Sequence, residues 1–256
     1  MHRSGFRLAL AALLLGAAAL AAPAQASPLS SLSAEWFTLS SSHPDVQRTI
    51  DGLSLGLVET QLGPDGLPVR SAASLAASAG SSNHINDVDA NGQIQWWTVH
   101  TGVTANTNYP STVTMPYSVT SNLFPGGVGV GGNGGTAGFL AARFFGSFSI
   151  PTAGSITITT GADDDAWVFV DGTLKVDLGG VKAYGPTNFA VSGLSAGTHQ
   201  IDVFFADRHT TQSGLSVSAD VTFSPAAVPE PASLALLGAG LLGLGVVRTR
   251  RRPARG

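Results

Sequence analysis

Gly161-Ala162-Asp163-Asp164-Asp165-Ala166-Trp167-Val168-Phe169-Val170-Asp171-Gly172 places three consecutive carboxylates directly before a run of bulky apolar residues and closes that run with Asp-Gly. Ala166 to Val170 is apolar at every position, which predicts a strand in the middle of a sheet, buried on both faces. Asp171-Gly172 is a hairpin signal. The three acids therefore fall at the rim of a sheet, where loops carry function. Like charges this close repel unless water or a cation screens them. Clustered oxygen ligands suit a hard cation such as calcium.

Working outward, period-2 alternation recurs. It runs through Ile156 and Ile158, through Leu174, Val176 and Leu178, through Ile201, Val203 and Phe205, and through Leu215, Val217, Ala219, Val221 and Phe223. Each run reads as a strand with one buried face. Gly- and Pro-rich turns separate them, at 151–154, 171–172, 179–180 and 193–197. Several short strands at this spacing predict an all-β protein, a single antiparallel β-sandwich. The first half is less regular. Val46 to Leu62 predicts a short helix ending at Gly63-Pro64-Asp65-Gly66. Gln93 to Val99 predicts a strand, in which alternation puts one of Trp96 and Trp97 in the core. Gly126 to Gly135 is an uncharged glycine-rich loop. No repeat or internal linker divides the region, which reads as one domain over 27–225.

Both ends carry targeting chemistry. His2, Arg3 and Arg7 precede the apolar run Leu8 to Ala22, and Ala24-Gln25-Ala26 supplies a small-x-small cleavage site. Residues 1–26 therefore read as a signal peptide cut by signal peptidase between Ala26 and Ser27. At the other end, Val228-Pro229-Glu230-Pro231 precedes an apolar segment over 232–247 with Ser233 as its one polar residue, then Arg248, Arg250, Arg251, Arg252 and Arg255. A helix of about 20 residues spans a bilayer, with about 17 as the lower limit; arginine stems can extend a slightly short one by snorkelling. The segment over 226–256 thus predicts a transient inner-membrane anchor with its basic end in the cytoplasm.

Composition narrows the function further. There is no cysteine, so an exported fold here relies on its core or on metal. Between the terminal segments, fifteen acids face six basic residues, an acidic excess of nine. Nucleic acid needs a basic patch and is excluded as a partner. A divalent cation or a neutral sugar fits the charge.

Two resemblances follow from these residues. The Pro-Glu-Pro triplet, glycine-rich apolar helix and arginine cluster resemble the PEP-CTERM sorting signal of bacterial exosortase substrates. That implies processing by an exosortase-type enzyme near Pro229-Glu230-Pro231 and delivery to the cell surface or extracellular matrix. Asp163 to Gly172, with Leu174 and Val176 to Val181, resembles the signature of the fibro-slime domain. Phe204-Phe205-Ala206-Asp207-Arg208-His209-Thr210-Thr211 resembles its closing motif. His43-Pro44-Asp45 and Gly56 to Val69 resemble its opening one. That family is similar to the calcium-dependent sugar-binding β-sandwich of yeast flocculins and the anthrax protective antigen. The resemblance implies a cis-linked Asp pair on calcium, falling on Asp163 and Asp164. Asp165 stands where the lectins often have glycine.

Asp207 ends the Ile201–Phe205 strand and is an expected further ligand, with an ion pair to Arg208 or Arg143 as its alternative. Trp97, Tyr184 and His209 are candidates to contact a sugar. Gly193-Leu194-Ser195-Ala196-Gly197 matches a nucleophile elbow, but a strand follows where that motif needs a helix. The Gly127, Gly129 and Gly132 spacing lacks the βαβ unit that a dinucleotide loop requires. His84, His100 and His199 lack metal-ligand spacing with one another. The expectation is a non-enzymatic, calcium-binding surface protein in adhesion, with exopolysaccharide or another glycan as partner. The alternatives are a purely structural matrix protein and, last, an envelope hydrolase.

Overall fold

The computed structural model describes residues 30–128 and 138–226. The expected signal peptide and the apolar 232–247 segment lie outside the described residues. Among those described, no helix is long and apolar enough to cross a membrane.

In chain order the strands are β1 (Ser31–Leu39), β2 (Val58–Leu62), β3 (Pro68–Arg70), β4 (Val103–Ala105), β5 (Thr112–Thr114), β6 (Tyr117–Val119), β7 (Leu123–Phe124) and β8 (Gly127–Val128). They continue as β9 (Phe139–Ile150), β10 (Gly154–Asp163), β11 (Asp165–Val170), β12 (Thr173–Leu178), β13 (Pro186–Leu194), β14 (Gly197–Ala206), β15 (Gly214–Ala219) and β16 (Phe223–Pro225). A large sheet has the order β3-β2-β12-β11-β14-β9-β1-β4, with β16 and β5 added beside β9 and β1. A small sheet has the order β13-β10-β15-β6, and β7 and β8 pair separately. All of these pairings are antiparallel. The fold is therefore the all-β antiparallel sandwich that the alternation predicts.

Each strand of the large sheet sends alternate residues to opposite faces. Toward the small sheet, Ala166, Val168 and Val170 of β11 and Val203 and Phe205 of β14 meet Ile156, Ile158, Leu215 and Val217. Toward the other face, Trp167, Phe169 and Phe204 meet Val46, Leu57, Ile85, Ile94, Trp96 and Trp97. Loops, not a third sheet, close this second face. That is why β11 is apolar throughout: all six of its residues are buried. Full burial of one large apolar side chain contributes roughly 1.5–3 kcal/mol.

Two expectations in the first half fail, both in these covering loops. The predicted helix over Val46–Leu62 is absent. Gln47 (φ 56°), Gly52 (φ 86°) and Gly56 (φ 75°) take left-handed conformations that interrupt a right-handed helix. Only 58–62 is regular there, and it is a strand. The helix found among the described residues is α1 (Ala72–Ala76), capped by Ser71, whose Oγ accepts from Ser74 N at 3.1 Å. The predicted strand over Gln93–Val99 reduces to isolated bridges at Gln93 and Ile94. Both tryptophans are buried, at 0% and 4% exposure. Trp96 Nε1 donates to Asp45 Oδ2 at 2.9 Å and Trp97 Nε1 to the Phe205 carbonyl at 3.1 Å. A regular strand would send the two rings to opposite faces; here the backbone turns so that both reach the sheet. Of the glycine-rich loop, Gly127 and Val128 form β8, and 129–137 lie outside the described residues.

The chain enters and leaves side by side. β1 and β16 both pair with β9, and Ser30 Oγ accepts from Phe223 N at 3.0 Å. Gly146 permits this crossing, because a Cβ there would lie 2.3 Å from the Ser224 carbonyl oxygen.

Candidate functional site

β10 belongs to the small sheet and β11 to the large one. The chain passes between them at Asp163 and Asp164, and the peptide bond joining these residues is cis, as the flocculin resemblance implies. Asp207 arrives at the same seam from the end of β14, held by its backbone N–H donating to the Leu140 carbonyl at 2.9 Å. The seam therefore gathers the ends of three strands from two sheets.

The carboxylates there have unequal surroundings. Asp164 is fully buried; its Oδ1 accepts from Lys182 N at 3.0 Å, and its Oδ2 from Arg208 N and His209 N at 2.7 Å each. Burial raises its carboxyl above the usual range, the Asp165 charge adds to this, and the N–H donors oppose it. Asp163 is 4% exposed. Burial first, then the neighbouring Asp164 charge, push its carboxyl up to about 7. Asp207 is fully buried, and neither of its carboxylate oxygens has a hydrogen-bond partner among the described residues. Burial, with the charges of Asp164 and Asp163, drives it well above the ordinary value, against the opposing pull of the nearby His209 N–H. A buried polar group without a partner costs about 1–3 kcal/mol, more when charged. The cluster is thus stable only if it holds protons or takes up a cation.

The basic residues nearby do not discharge it. Arg208, fully buried, turns to Asp165: Nε lies 2.7 Å from Oδ2 and Nη2 3.2 Å from Oδ1. Its Nη1 donates to the Ser82 carbonyl at 2.7 Å, and its guanidinium lies 5.1 Å from the Trp96 ring centre. Lys182 donates from Nζ to the backbone carbonyls of Ala162 and Asp164, not to a carboxylate. Burial pulls this ammonium below its ordinary value, against the attraction of the three aspartates.

These contacts sort the expected residues. Asp163, Asp164 and Asp207 converge. Asp165 is withdrawn from the ligand set: the Arg208 fork and Gly180 N, at 2.6 Å from Oδ1, occupy its carboxylate. The alternative pairing of Asp207 with Arg208 or Arg143 does not form, since Arg143 Nη2 sits 2.6 Å from Asp202. Trp97 is corrected from sugar contact to core, because its ring is buried against Phe204 at 4.9 Å between centres. Tyr184 is half-buried and shares a 2.7 Å hydrogen bond with Ser216 Oγ. His209 is half-buried; its backbone serves Asp164 while its Nδ1 donates to the Arg48 carbonyl at 2.6 Å.

Several site residues escaped the sequence reading. Lys182 and Arg208 lie 18 and 44 residues beyond Asp164, and nothing local announces their partners. Ser213 is fully buried with an unpartnered hydroxyl, one residue before Gly214, which pairs with Asp163. Gly180 has φ +103°, and a Cβ there would meet the Gly52 carbonyl oxygen at 2.4 Å. Its glycine lets the 52–54 loop press against the seam. Asp45 of the opening motif anchors the covering loops. It accepts from Asn86 N at 2.7 Å, Asp87 N at 2.9 Å and Trp96 Nε1 at 2.9 Å. Burial pushes its carboxyl up, but these donors outweigh that and hold it below the usual range.

The nucleophile-elbow match is a hairpin turn between β13 and β14. His199 Nδ1 is 2.6 Å from Asp171 Oδ2, and its Nε2 is 2.9 Å from the Ser195 backbone carbonyl, not the hydroxyl. Both ring nitrogens face acceptors. The Asp171 hydrogen bond, then the Ser195 carbonyl, raise the ring above its ordinary value; neither ring nitrogen is directed at the Ser195 hydroxyl.

Buried acids gathered at the seam of two antiparallel sheets characterise this β-sandwich, and comparison with known proteins names its family. The PA14 domain matches residues 85–228, more than half of the chain, which belongs to that family. A PEP-CTERM protein-sorting motif matches residues 227–252; it implies export, processing by an exosortase-type enzyme, and an envelope or surface destination. The protein psiQ of Dictyostelium discoideum is 30% identical over 193 residues, which are 66% of this chain and 19% of psiQ. The chain thus spans about a fifth of that relative. Among solved structures, the PA14 domain of the MpAFP antifreeze protein is distantly similar. Its TM-score is 0.36 at 12% identity, covering 82% of this chain and 100% of that one. The PA14 sugar-binding domain from an RTX adhesin has a TM-score of 0.32 at 11% identity, covering 77% and 96%.

Proposed function

We propose that this chain is an exported, surface-sorted carbohydrate-binding protein without enzymatic activity, whose seam takes up calcium. The observation that carries the reading is Asp207: a fully buried carboxylate with both oxygens unpartnered, beside Asp163 and Asp164. The donors fit the group. Calcium takes six to eight oxygens, and the cluster offers oxygen only. Asp163, Asp164 and Asp207 would hold the ion, and the orphaned Ser213 hydroxyl is a further oxygen close by in sequence register. Bound calcium would supply a positive centre for sugar hydroxyls. The chain's own residues fix the carboxylates through Lys182 N, Arg208 N and His209 N. Half-exposed His209 and Thr210, with exposed Thr211 and Gln212, form the rim on which a glycan would rest.

Burial favours a second reading, in which the metal only secures the fold. Asp163 is 4% exposed and Asp164 and Asp207 are closed off, so an ion there has little open surface to offer. Glycan-array binding of the purified chain, with calcium and with chelator, separates the two. Binding that disappears on chelation while the protein stays folded supports calcium-mediated recognition. Chelation that lowers the melting temperature with no glycan bound in either state overturns it and leaves the structural reading. No response of either kind to millimolar calcium overturns both.

A further inference from the structure

His43, Asp87 and His100 meet on the loop-covered face, where Asp45 touches both His43 and Asp87. His43 lies in the turn after β1, Asp87 in the covering loop, and His100 just before β4. One ligand atom from each lies within 4.8 Å of the other two. His43 Nε2 is 2.9 Å and His100 Nε2 3.3 Å from the same oxygen, Asp87 Oδ2. The backbone holds all three. Asp87 N donates to Asp45 Oδ2 at 2.9 Å, His43 N to the Ser40 carbonyl at 2.9 Å, and His100 N to the Val103 carbonyl at 3.1 Å.

The ring protons expose a deficit. His100 Nδ1 is 2.8 Å from the Thr98 carbonyl, which only accepts. The proton is therefore on Nδ1, and a neutral ring turns the lone pair of Nε2 toward the Asp87 carboxylate. Only a cation at this point, a second ring proton or a metal ion, keeps that lone pair from facing the carboxylate at 3.3 Å. The Thr98 contact is also the backbone carbonyl support that orients a metal-ligating imidazole. Two imidazoles and one carboxylate suit a first-row transition metal, whereas calcium prefers oxygen alone.

We propose that His43 Nε2, Asp87 Oδ2 and His100 Nε2 bind one zinc-class divalent ion. Ligand bonds of about 2.0–2.2 Å in a tetrahedron put donors about 3.4 Å apart. The His100–Asp87 separation already matches, and the His43–Asp87 pair opens by about 0.5 Å. The ring proton of His43 moves to Nδ1, where it faces the Asp45 N–H donor at 3.2 Å, so the turn after β1 must shift to part them. Side-chain exposure rises from 1% at His43 through 16% at Asp87 to 34% at His100, so entry and a fourth, water-filled position lie on the His100 side. The ion would tie the turn after β1 to the loop before β4.

The test is zinc chloride titrated into the purified full-length chain at pH 7.5, read by calorimetry and by melting temperature. His100→Gln is the variant of choice because its ring is the most exposed of the three. The wild type is expected to take up one zinc per chain and melt higher. His100→Gln and Asp87→Asn should each weaken binding at least about tenfold. The calcium-dependent shift in melting temperature should stay the same in His100→Gln, which separates this site from the seam. Zinc uptake unchanged in His100→Gln overturns the proposal. So does the absence of uptake in the wild type; a pH-dependent melting temperature that His100→Gln abolishes without any zinc binding would assign the corner to an imidazolium instead.

Discussion

The two faces of the large sheet are closed by different means. One is covered by a second sheet, and its contacts are the alternate aliphatic residues of regular strands. The other is covered by loops, and its contacts are three tryptophans, an Arg208–Asp165 pair and the Asp45 hub. A sheet satisfies its backbone through its own ladder, so packing alone closes it. A loop layer has no ladder. Its backbone must be satisfied piece by piece, so buried polar side chains become its framework. Arg208 donating to the Ser82 carbonyl and Asp45 accepting from Asn86 and Asp87 do this work.

The sharpest way to break this contrast is Arg208→Ala. It removes the donor to Ser82 and leaves Asp165 charged, buried and unpaired, an effect of about 3–5 kcal/mol. Urea unfolding should show it; a loss below that of an aliphatic truncation in the sheet–sheet core would contradict the framework role. Next in size is calcium at the seam. With a dissociation constant of about 0.1–1 mM, about 10 mM calcium should stabilise by about 1.4–2.7 kcal/mol. Asp207→Asn should abolish that shift and, in chelator, melt no lower than the wild type, because a buried carboxyl that must hold a proton when no cation is bound has gone. A lower melting temperature in chelator would count against the reading.

On the sheet–sheet face, Ile158→Val should cost about 0.5–1.5 kcal/mol, whether calcium is present or chelated. The smallest effect belongs to His199, whose raised value comes from Asp171 and the Ser195 carbonyl. A group raised on folding stabilises fully below its unfolded value near 6.5, and that contribution is lost as pH rises through the folded value. His199→Gln should therefore flatten the fall in melting temperature above about pH 6.5. An unchanged pH profile would show that the Asp171 contact adds nothing.

The same contrast explains what could be read from the sequence. β10, β12, β14 and β15 were legible because burial against a sheet imposes period 2, and β11 because burial on both faces leaves it apolar throughout. Val46–Leu62 and Gln93–Val99 misled because loops cover a surface without any period. Trp96 and Trp97 reach one core through a backbone turn that adjacent sequence does not announce. At the seam, Asp163, Asp164 and Asp207 stood out as acids at strand ends. Asp165 was set apart only by resemblance, standing where the lectins often have glycine; its partner Arg208, 43 residues away, was not legible. His43 and His100 gave no spacing signal because Asp87 brings them together only in space.

β9 has one more consequence. Asp207 hangs from Leu140 near one end of it, while Phe223 pairs with Phe148 near the other. Eight residues of strand separate these points by about 25 Å. The sorting motif begins at residue 227, directly beyond Ala226, whose N–H is fastened to Ser33 Oγ at 3.2 Å. β16 runs back along β9, so Ala226 stands level with Phe145, five residues or about 16 Å from the Leu140 anchor of Asp207. One strand, β9, therefore carries both the anchor of Asp207 and the last described residues before the sorting motif, so a pull applied through residue 226 loads the strand that holds the acid cluster.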